Sequence, residues 1–86
     1  MDILSVELEI DRQVICVLAA TLFVGRRQVE VESRLVEDLY MDSISMVEVV
    51  MALNEMFGIE LSESGVEEWK TVKDICILVR EMSLMR

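Results

Sequence analysis

Residues 42–58 read D-S-I-S-M-V-E-V-V-M-A-L-N-E-M-F-G, and this stretch decides the fold. It begins with an aspartate that can cap a helix and finishes with Gly58, a residue type that commonly ends one. Between them, apolar residues recur at steps of three and four, which predicts an amphipathic helix with one face in a core. The predicted core-facing line consists of Met46, Val49, Val50, Leu53 and Phe57.

A second apolar line runs beside the first and consists of Ile44, Val47 and Met51. A bundle of this size can hardly bury both lines of one helix, so the second line either covers a wide core or stays exposed. Glu48 and Glu55 flank it. If it is exposed, an apolar strip bordered by carboxylates would suit a partner with an apolar patch inside a basic rim.

Acidic residues dominate the charge of the chain. Its 86 residues include 17 acids and 8 bases, for a net charge of −9. Eleven of the acids and a single base fall within residues 30–68. Such a chain is repelled by phosphate backbones, which disfavours nucleic acids and anionic membranes as partners and favours basic protein surfaces.

The rest of the chain is also helical in pattern. A first helix is predicted over residues 5–23, with Ser5 as a candidate N-cap and Gly25 at its end. Residues 26–41 lack sustained periodicity, which predicts a long ordered loop of the kind that is often functional.

Two further helices are predicted after Gly58. The first is short and would be capped by Ser62 or Ser64, and the second begins at Thr71, with Asp74 completing an approximate capping box. The sequence therefore predicts an all-α fold in a single domain over residues 1–86. This fold is a four-helix bundle of three main helices and one short helix, with a long loop between the first two.

Cys16 and Cys76 lie in apolar, helix-like stretches, which predicts two buried, reduced thiols. No histidine is present and no spacing suits a metal, so no bound metal is expected. The longest apolar run, residues 14–24, is too short to span a bilayer, and the acidic start is not typical of a secretory signal. We therefore expect a cytoplasmic protein.

Ser43 stands where a loop becomes a helix, and the first role to consider for its hydroxyl is that of a nucleophile. Serine catalysis needs a general base, but the chain has no histidine, so a self-contained enzyme is disfavoured. At the start of a helix, with Asp42 as N-cap, a phosphate ester would be electrostatically favourable. From composition and spacing alone, an unmodified serine in a helix cap remains the ordinary interpretation.

Residues 35–61 read L-V-E-D-L-Y-M-D-S-I-S-M-V-E-V-V-M-A-L-N-E-M-F-G-I-E-L, which resembles the acyl carrier protein family. The resemblance runs from about residue 29 to residue 69 and on into T-V-K-D-I. It implies that a phosphopantetheinyl transferase, using coenzyme A and Mg²⁺, attaches phosphopantetheine to Ser43. The arm's thiol would hold acyl chains as thioesters for acyl-handling enzymes. The protein would then be a carrier and not an enzyme.

The resemblance also implies roles for neighbouring residues. Asp42 would help to position the metal in the transferase complex. Glu48 and Glu55 match acidic positions that meet basic docking patches on partner enzymes. The apolar part of the same partner face would be Ile44, Val47 and Met51.

The sequence departs from the family pattern near the serine. Tyr40 and Met41 replace a common Gly-Ala pair, and we expect them, with Ser45, to help choose partners. Asn54 and Met56 replace acids, and Trp69 replaces a small aliphatic residue and would fill part of the acyl cavity. These departures suggest a specialised carrier, which we also expect to be a monomer. The L-V-E-D-L-Y-x-D-S and D-I-C segments are similar to invasion-associated carriers found with type III secretion systems.

Two alternatives remain open at this point. A peptidyl or D-alanyl carrier domain would share the modified serine but would load amino acids through an adenylating enzyme. An unmodified acidic interaction module, associated with a secretion system, would use the same face only for docking.

Overall fold

The computed structural model describes residues 3–84, which form four α-helices and one turn of 3₁₀-helix. The elements are α1 (Ile3–Leu22), the 3₁₀-helix (Arg26–Gln28), α2 (Ser43–Phe57), α3 (Glu63–Glu67) and α4 (Val72–Leu84). The predicted all-α arrangement of three main helices and one short helix is confirmed, as is the long connection between α1 and α2.

Helix α2 begins and ends where its sequence predicts. The Asp42 carboxylate accepts a hydrogen bond from the Ser45 amide at 2.8 Å, as an N-cap does. Gly58 ends the helix in the left-handed conformation, at φ 63°. The predicted core-facing line is buried or half-buried along its whole length: Met46, Val49, Val50, Leu53 and Phe57.

The left-handed conformation of Gly58 gives a direct test of this helix end. We expect Gly58→Ala to lower the free energy of unfolding by about 1 kcal/mol, because a Cβ is strained at positive φ. Gly25→Ala is the matched control: Gly25 has φ −70°, and the nearest atom to an added Cβ is 4.0 Å away. Urea unfolding of both variants checks this, and equal losses at the two glycines would contradict it.

Helix α1 differs from its predicted bounds at both ends. It starts at Ile3, so Ser5 lies inside the helix and is not its N-cap. It ends at Leu22, and Phe23, not Gly25, takes the left-handed conformation with φ 57°. The Val24 amide donates to the Ala19 carbonyl at 3.0 Å, which closes the last turn before the chain reaches Gly25.

The connection between α1 and α2 is held in place by backbone hydrogen bonds to Lys70, just before α4, and to the first two residues of α4. Its side chains at Val29, Leu35 and Met41 are buried in the core. An ordered loop was predicted here, and these bonds explain its order. They join the Leu35 amide to the Lys70 carbonyl at 2.9 Å, the Val72 amide to the Ser33 carbonyl at 3.0 Å, and the Lys73 amide to the Val31 carbonyl at 2.9 Å.

The two later helices are capped by side chains. Ser62, rather than Ser64, caps α3: its Oγ accepts from the Gly65 amide at 3.2 Å. The Asp74 carboxylate accepts hydrogen bonds from the amides of Lys70 and Thr71 at 2.8 and 3.0 Å. The bond from Thr71 is the one that a capping box predicts between the N-cap amide and the side chain three residues later. These amides hold the pKa of Asp74 below its ordinary value.

A partly buried ion pair joins α1 to α4. Arg80 donates from Nε to Oδ1 of Asp11 at 2.9 Å and from its Nη2 to Oδ2 of the same carboxylate. The Cys76 thiol lies beside them, and burial, followed by the charge of Asp11, raises its pKa to about 12. Cys76 is therefore a buried, protonated thiol as predicted, whereas Cys16 is only half-buried, and both are free.

Candidate functional site

Ser43 is the first residue of α2, and its side chain is exposed. Asp42 precedes it, and its carboxylate accepts hydrogen bonds from Ser45. The Ser45 backbone amide, and to a smaller extent the Ser45 side chain, hold the pKa of Asp42 below its ordinary value, so this carboxylate remains ionised. The first turn of a helix also presents amides that have no partner within the helix, at the positive end of its dipole. The hydroxyl of Ser43 is thus accessible at a position that suits a phosphate ester.

A groove of about 540 Å³ opens beside Ser43, between α2 and α3. The α2 wall carries apolar side chains, and the α3 wall adds one apolar and two acidic side chains. Leu61, in the connection between the helices, contributes a buried side chain. The lining residues are Ser43, Met46, Val47, Val50, Met51, Leu61, Glu63, Val66 and Glu67.

Sequence reasoning did not assign the far wall of this groove. Leu61 and Val66 are apolar residues within an otherwise acidic stretch, and that contrast was the signal that could have found them. The Leu61 amide donates to Oδ1 of Asn54 at 3.0 Å, so a side chain of α2 fixes the backbone of this wall. Asn54, noted only as a departure from an acidic position, therefore has a structural role.

The second apolar line of α2 is exposed. The exposed fractions are 69% for Ile44, 57% for Val47 and 65% for Met51. The interpretation in which these residues cover a wide core is therefore wrong. Glu48 and Glu55 are exposed beside them, so α2 presents an apolar strip with an acidic border, running from Ser43 along the helix. We call these five residues the α2 strip.

The two residues before Asp42 behave differently from each other. Tyr40 is 84% exposed and has φ 56°, a rare conformation for a bulky residue. Met41 is only 5% exposed, so its side chain is part of the core and cannot present a surface to a partner. The assignment of Met41 to the partner face is wrong. Its amide donates to the Leu35 carbonyl at 2.9 Å, which turns the chain so that Tyr40 points outward and Met41 inward.

Comparison with known proteins agrees with this geometry. The family model described as "Phosphopantetheine attachment site" matches residues 12–79, which include Ser43, the whole of α2 and α3, and parts of α1 and α4. An acyl carrier protein of Campylobacter hominis is 36% identical over 76 residues, covering 88% of this chain and 96% of the relative. The chain belongs to the acyl carrier protein family.

Other acyl carrier proteins match over shorter stretches. That of Helicobacter hepaticus is 48% identical over 59 residues, or 69% of this chain and 78% of the relative. That of Thermosynechococcus vestitus is 40% identical over 67 residues, which cover 78% of this chain and 83% of the relative. These relatives are acyl carriers, which favours the acyl interpretation over the peptidyl and D-alanyl alternatives.

Membership of the acyl carrier protein family sets the broad chemistry. The chain is a carrier and not an enzyme, and its cofactor is phosphopantetheine. Acyl carrier proteins meet phosphopantetheinyl transferases and enzymes that handle acyl groups. Among the helices of residues 3–84, none has the length and hydrophobicity that a membrane crossing requires.

Proposed function

We propose that Ser43 carries the phosphopantetheine of this acyl carrier protein and that the α2–α3 groove receives the acyl chain. The observation that most directly supports this proposal is the position of Ser43, which is exposed as the first residue of α2 and lines the groove. When attached, the group supplies a terminal thiol that holds an acyl chain as a thioester. These residues fit phosphopantetheine, because the Ser43 hydroxyl is accessible and Ser43 itself lines an apolar groove.

The start of α2 would hold the phosphodiester. The Asp42 carboxylate already binds the Ser45 amide, which leaves the earlier amides of the turn and the positive end of the helix dipole to face the phosphate. Asp42 itself is exposed, so it is available to help position a metal ion within a transferase complex. In that role its ionised carboxylate supplies hard oxygen ligands of the kind Mg²⁺ prefers.

The α2 strip would be the docking face for partner enzymes. Its apolar side chains offer area to bury, and Glu48 and Glu55 would select a basic rim. Tyr40 would extend the face beyond Ser43, since a bulky residue held exposed at positive φ costs stability without contributing to the core. The face therefore surrounds the attachment serine on two sides.

A specialised set of partners and a cytoplasmic location are part of this proposal. Tyr40 and Ser45 stand next to the arm and depart from the common family pattern, so partners of ordinary fatty-acid carriers would meet a different surface here. Free, reduced cysteines are typical of cytosolic proteins. The specific partners would be enzymes whose docking patch accommodates the exposed Tyr40 ring.

Intact-mass spectrometry after incubation with coenzyme A, Mg²⁺ and a broad-specificity phosphopantetheinyl transferase tests the proposal. We expect a gain of one phosphopantetheine, complete loss of that gain in Ser43→Ala, and full retention in the control Ser64→Ala, an exposed serine of α3. Circular dichroism verifies that both variants are folded. Absence of a gain with several transferases, or a gain in Ser43→Ala, would refute the proposal.

A further inference from the structure

Phe23 is an exposed aromatic residue just after α1. Its side chain is 95% exposed, although its neighbours Leu22 and Val24 both pack against the core. Its backbone adopts φ 57°, a conformation in which a residue with a Cβ is strained. The ring therefore contributes little to the core, while the backbone that presents it lowers the stability of the fold. Strain of this kind at an exposed side chain points to a role at the surface.

The charge around Phe23 is opposite to that of the rest of the chain. Residues 12–29 contain three arginines and no acidic residue, whereas the whole chain has a net charge of −9. Arg26 and Arg27 begin the 3₁₀-helix that follows the turn at Phe23, and both are exposed. The end of α1 thus presents a basic segment on an acidic protein.

The two exposed arginines differ in what else they contact. Arg26 is held against α1, because its Nη1 donates to Sγ of Cys16 at 3.2 Å. Arg27 forms no salt bridge within residues 3–84, so its charge is available to a partner. Phe23 and these two arginines make an apolar side chain with a basic border, which we call the Phe23 patch.

The surface that complements the Phe23 patch is present on the same chain. The α2 strip consists of exposed apolar side chains bordered by Glu48 and Glu55. The two surfaces share an apolar centre and have borders of opposite charge, which is the pattern of complementary protein surfaces. Because both surfaces are exposed, neither covers the other within one molecule. Each molecule therefore carries both halves of a contact that two copies can form head to tail.

We propose that the Phe23 patch of one molecule binds the α2 strip of a second copy of this chain. In this contact the Phe23 ring packs on the apolar side chains of α2, and the two arginines meet the two glutamates of the strip. The contact is weak, because the net charge of −9 on each copy opposes association. Dilute protein is therefore monomeric, and the contact forms when the protein is concentrated.

Self-association of this kind regulates access to the α2 strip. A molecule whose strip is covered by a second copy cannot present the same strip to a partner enzyme. This consequence rests on the proposed docking role of α2, whereas the contact itself depends neither on that role nor on modification of Ser43.

Sedimentation velocity of the full, unmodified chain tests the contact from micromolar to millimolar concentration, at physiological ionic strength, where long-range repulsion is screened. We expect the weight-average sedimentation coefficient of the native chain to rise with concentration. It should stay constant in Phe23→Asn/Arg27→Glu, which removes the ring and reverses one charge of the patch. Asparagine tolerates positive φ, so this patch variant keeps the turn after α1, and circular dichroism verifies that it is folded.

The matched control for the patch variant is Leu8→Ser/Arg12→Glu. It also removes one apolar side chain and reverses one arginine, and both of its positions are exposed on α1. Both variants change the net charge by the same two units, from −9 to −11. The control should therefore associate as the native chain does, because it leaves the Phe23 patch and the α2 strip unchanged.

A mixing experiment identifies the two halves of the contact. The patch variant keeps the native α2 strip, and Glu48→Lys/Glu55→Lys keeps the native Phe23 patch. Each variant alone should be monomeric across the concentration series. Their equimolar mixture should form a 1:1 complex, because one molecule supplies the strip and the other supplies the patch.

The outcomes decide the proposal. The contact is overturned by a native sedimentation coefficient that does not rise, by a rise that persists in the patch variant, by an equal loss in the control, or by a mixture that stays monomeric. Each of these results would leave the carrier function intact, because the mass assay at Ser43 does not depend on association. Absence of a mass gain would conversely refute the carrier function and leave the contact standing.

Discussion

Arg80→Met is expected to lower the free energy of unfolding by about 2–4 kcal/mol, somewhat less than the 3–5 kcal/mol typical of a fully buried pair. The reason is the Asp11 carboxylate, which stays inside the protein between α1 and α4 when its partner is removed. For a domain of this size the loss is a large fraction of the total stability. Urea unfolding followed by circular dichroism measures it.

A double-mutant cycle separates the pair from its packing. Asp11→Leu/Arg80→Met should be less destabilised than the sum of the two single variants, because no unpaired charge remains in the interior. Arg12→Met is the matched control, because the exposed Arg12 places Nη1 3.9 Å from Oε2 of Glu9. Ion pairs at the surface contribute little to the free energy of unfolding. Additive single effects, or an equal loss in the control, would contradict this account.

Glu48→Lys/Glu55→Lys is expected to slow modification by a phosphopantetheinyl transferase about tenfold to hundredfold in kcat/KM at low salt. Both residues are exposed and border the apolar part of the α2 strip, so a basic partner that is attracted by the native face would be repelled by the variant. The difference should shrink as ionic strength rises, because exposed charges are screened. Initial rates measured across a salt series check both statements.

The control for charge reversal is a second double variant that has the same net charge as Glu48→Lys/Glu55→Lys. Glu9→Lys/Glu81→Lys makes the same change of four units, from −9 to −5, on exposed positions of α1 and α4. If this control slows modification as much as the α2 variant does, the effect belongs to net charge and the α2 strip is not the docking face. Unchanged rates in the α2 variant would contradict the proposal more directly.

The local parts of the site were predictable. Asp42 caps α2 through an amide three residues away, and Gly58 ends the same helix through its own backbone freedom. Both effects act within one turn of helix, so the residues that cause them are visible side by side in the sequence. The same holds for Asp74 at the start of α4, whereas for α3 the sequence left Ser62 and Ser64 as alternatives and the structure selects Ser62.

The surface assignments near the serine were predictable only in part. The periodicity of α2 separated two apolar lines but left open which of them the other helices would cover. Tyr40 and Met41 are adjacent in the loop, where no periodicity says which side chain faces inward. Helical spacing likewise predicted an end near Gly25, but Phe23 takes the left-handed conformation instead.

The sequence by itself determined the order and type of the helices, the caps at the start of α2 and α4, the end of α2 at Gly58, the acidic character of the chain and the position of Ser43 at a helix start. These depend on residues within a few positions of one another. Only the tertiary structure decided which line of α2 is exposed, that Met41 is buried, that Leu61 and Val66 form the far wall of the groove, and that Asp11 meets Arg80 across 69 positions. The physical reason is that burial and pairing depend on which elements pack together, and that packing is a property of the whole chain.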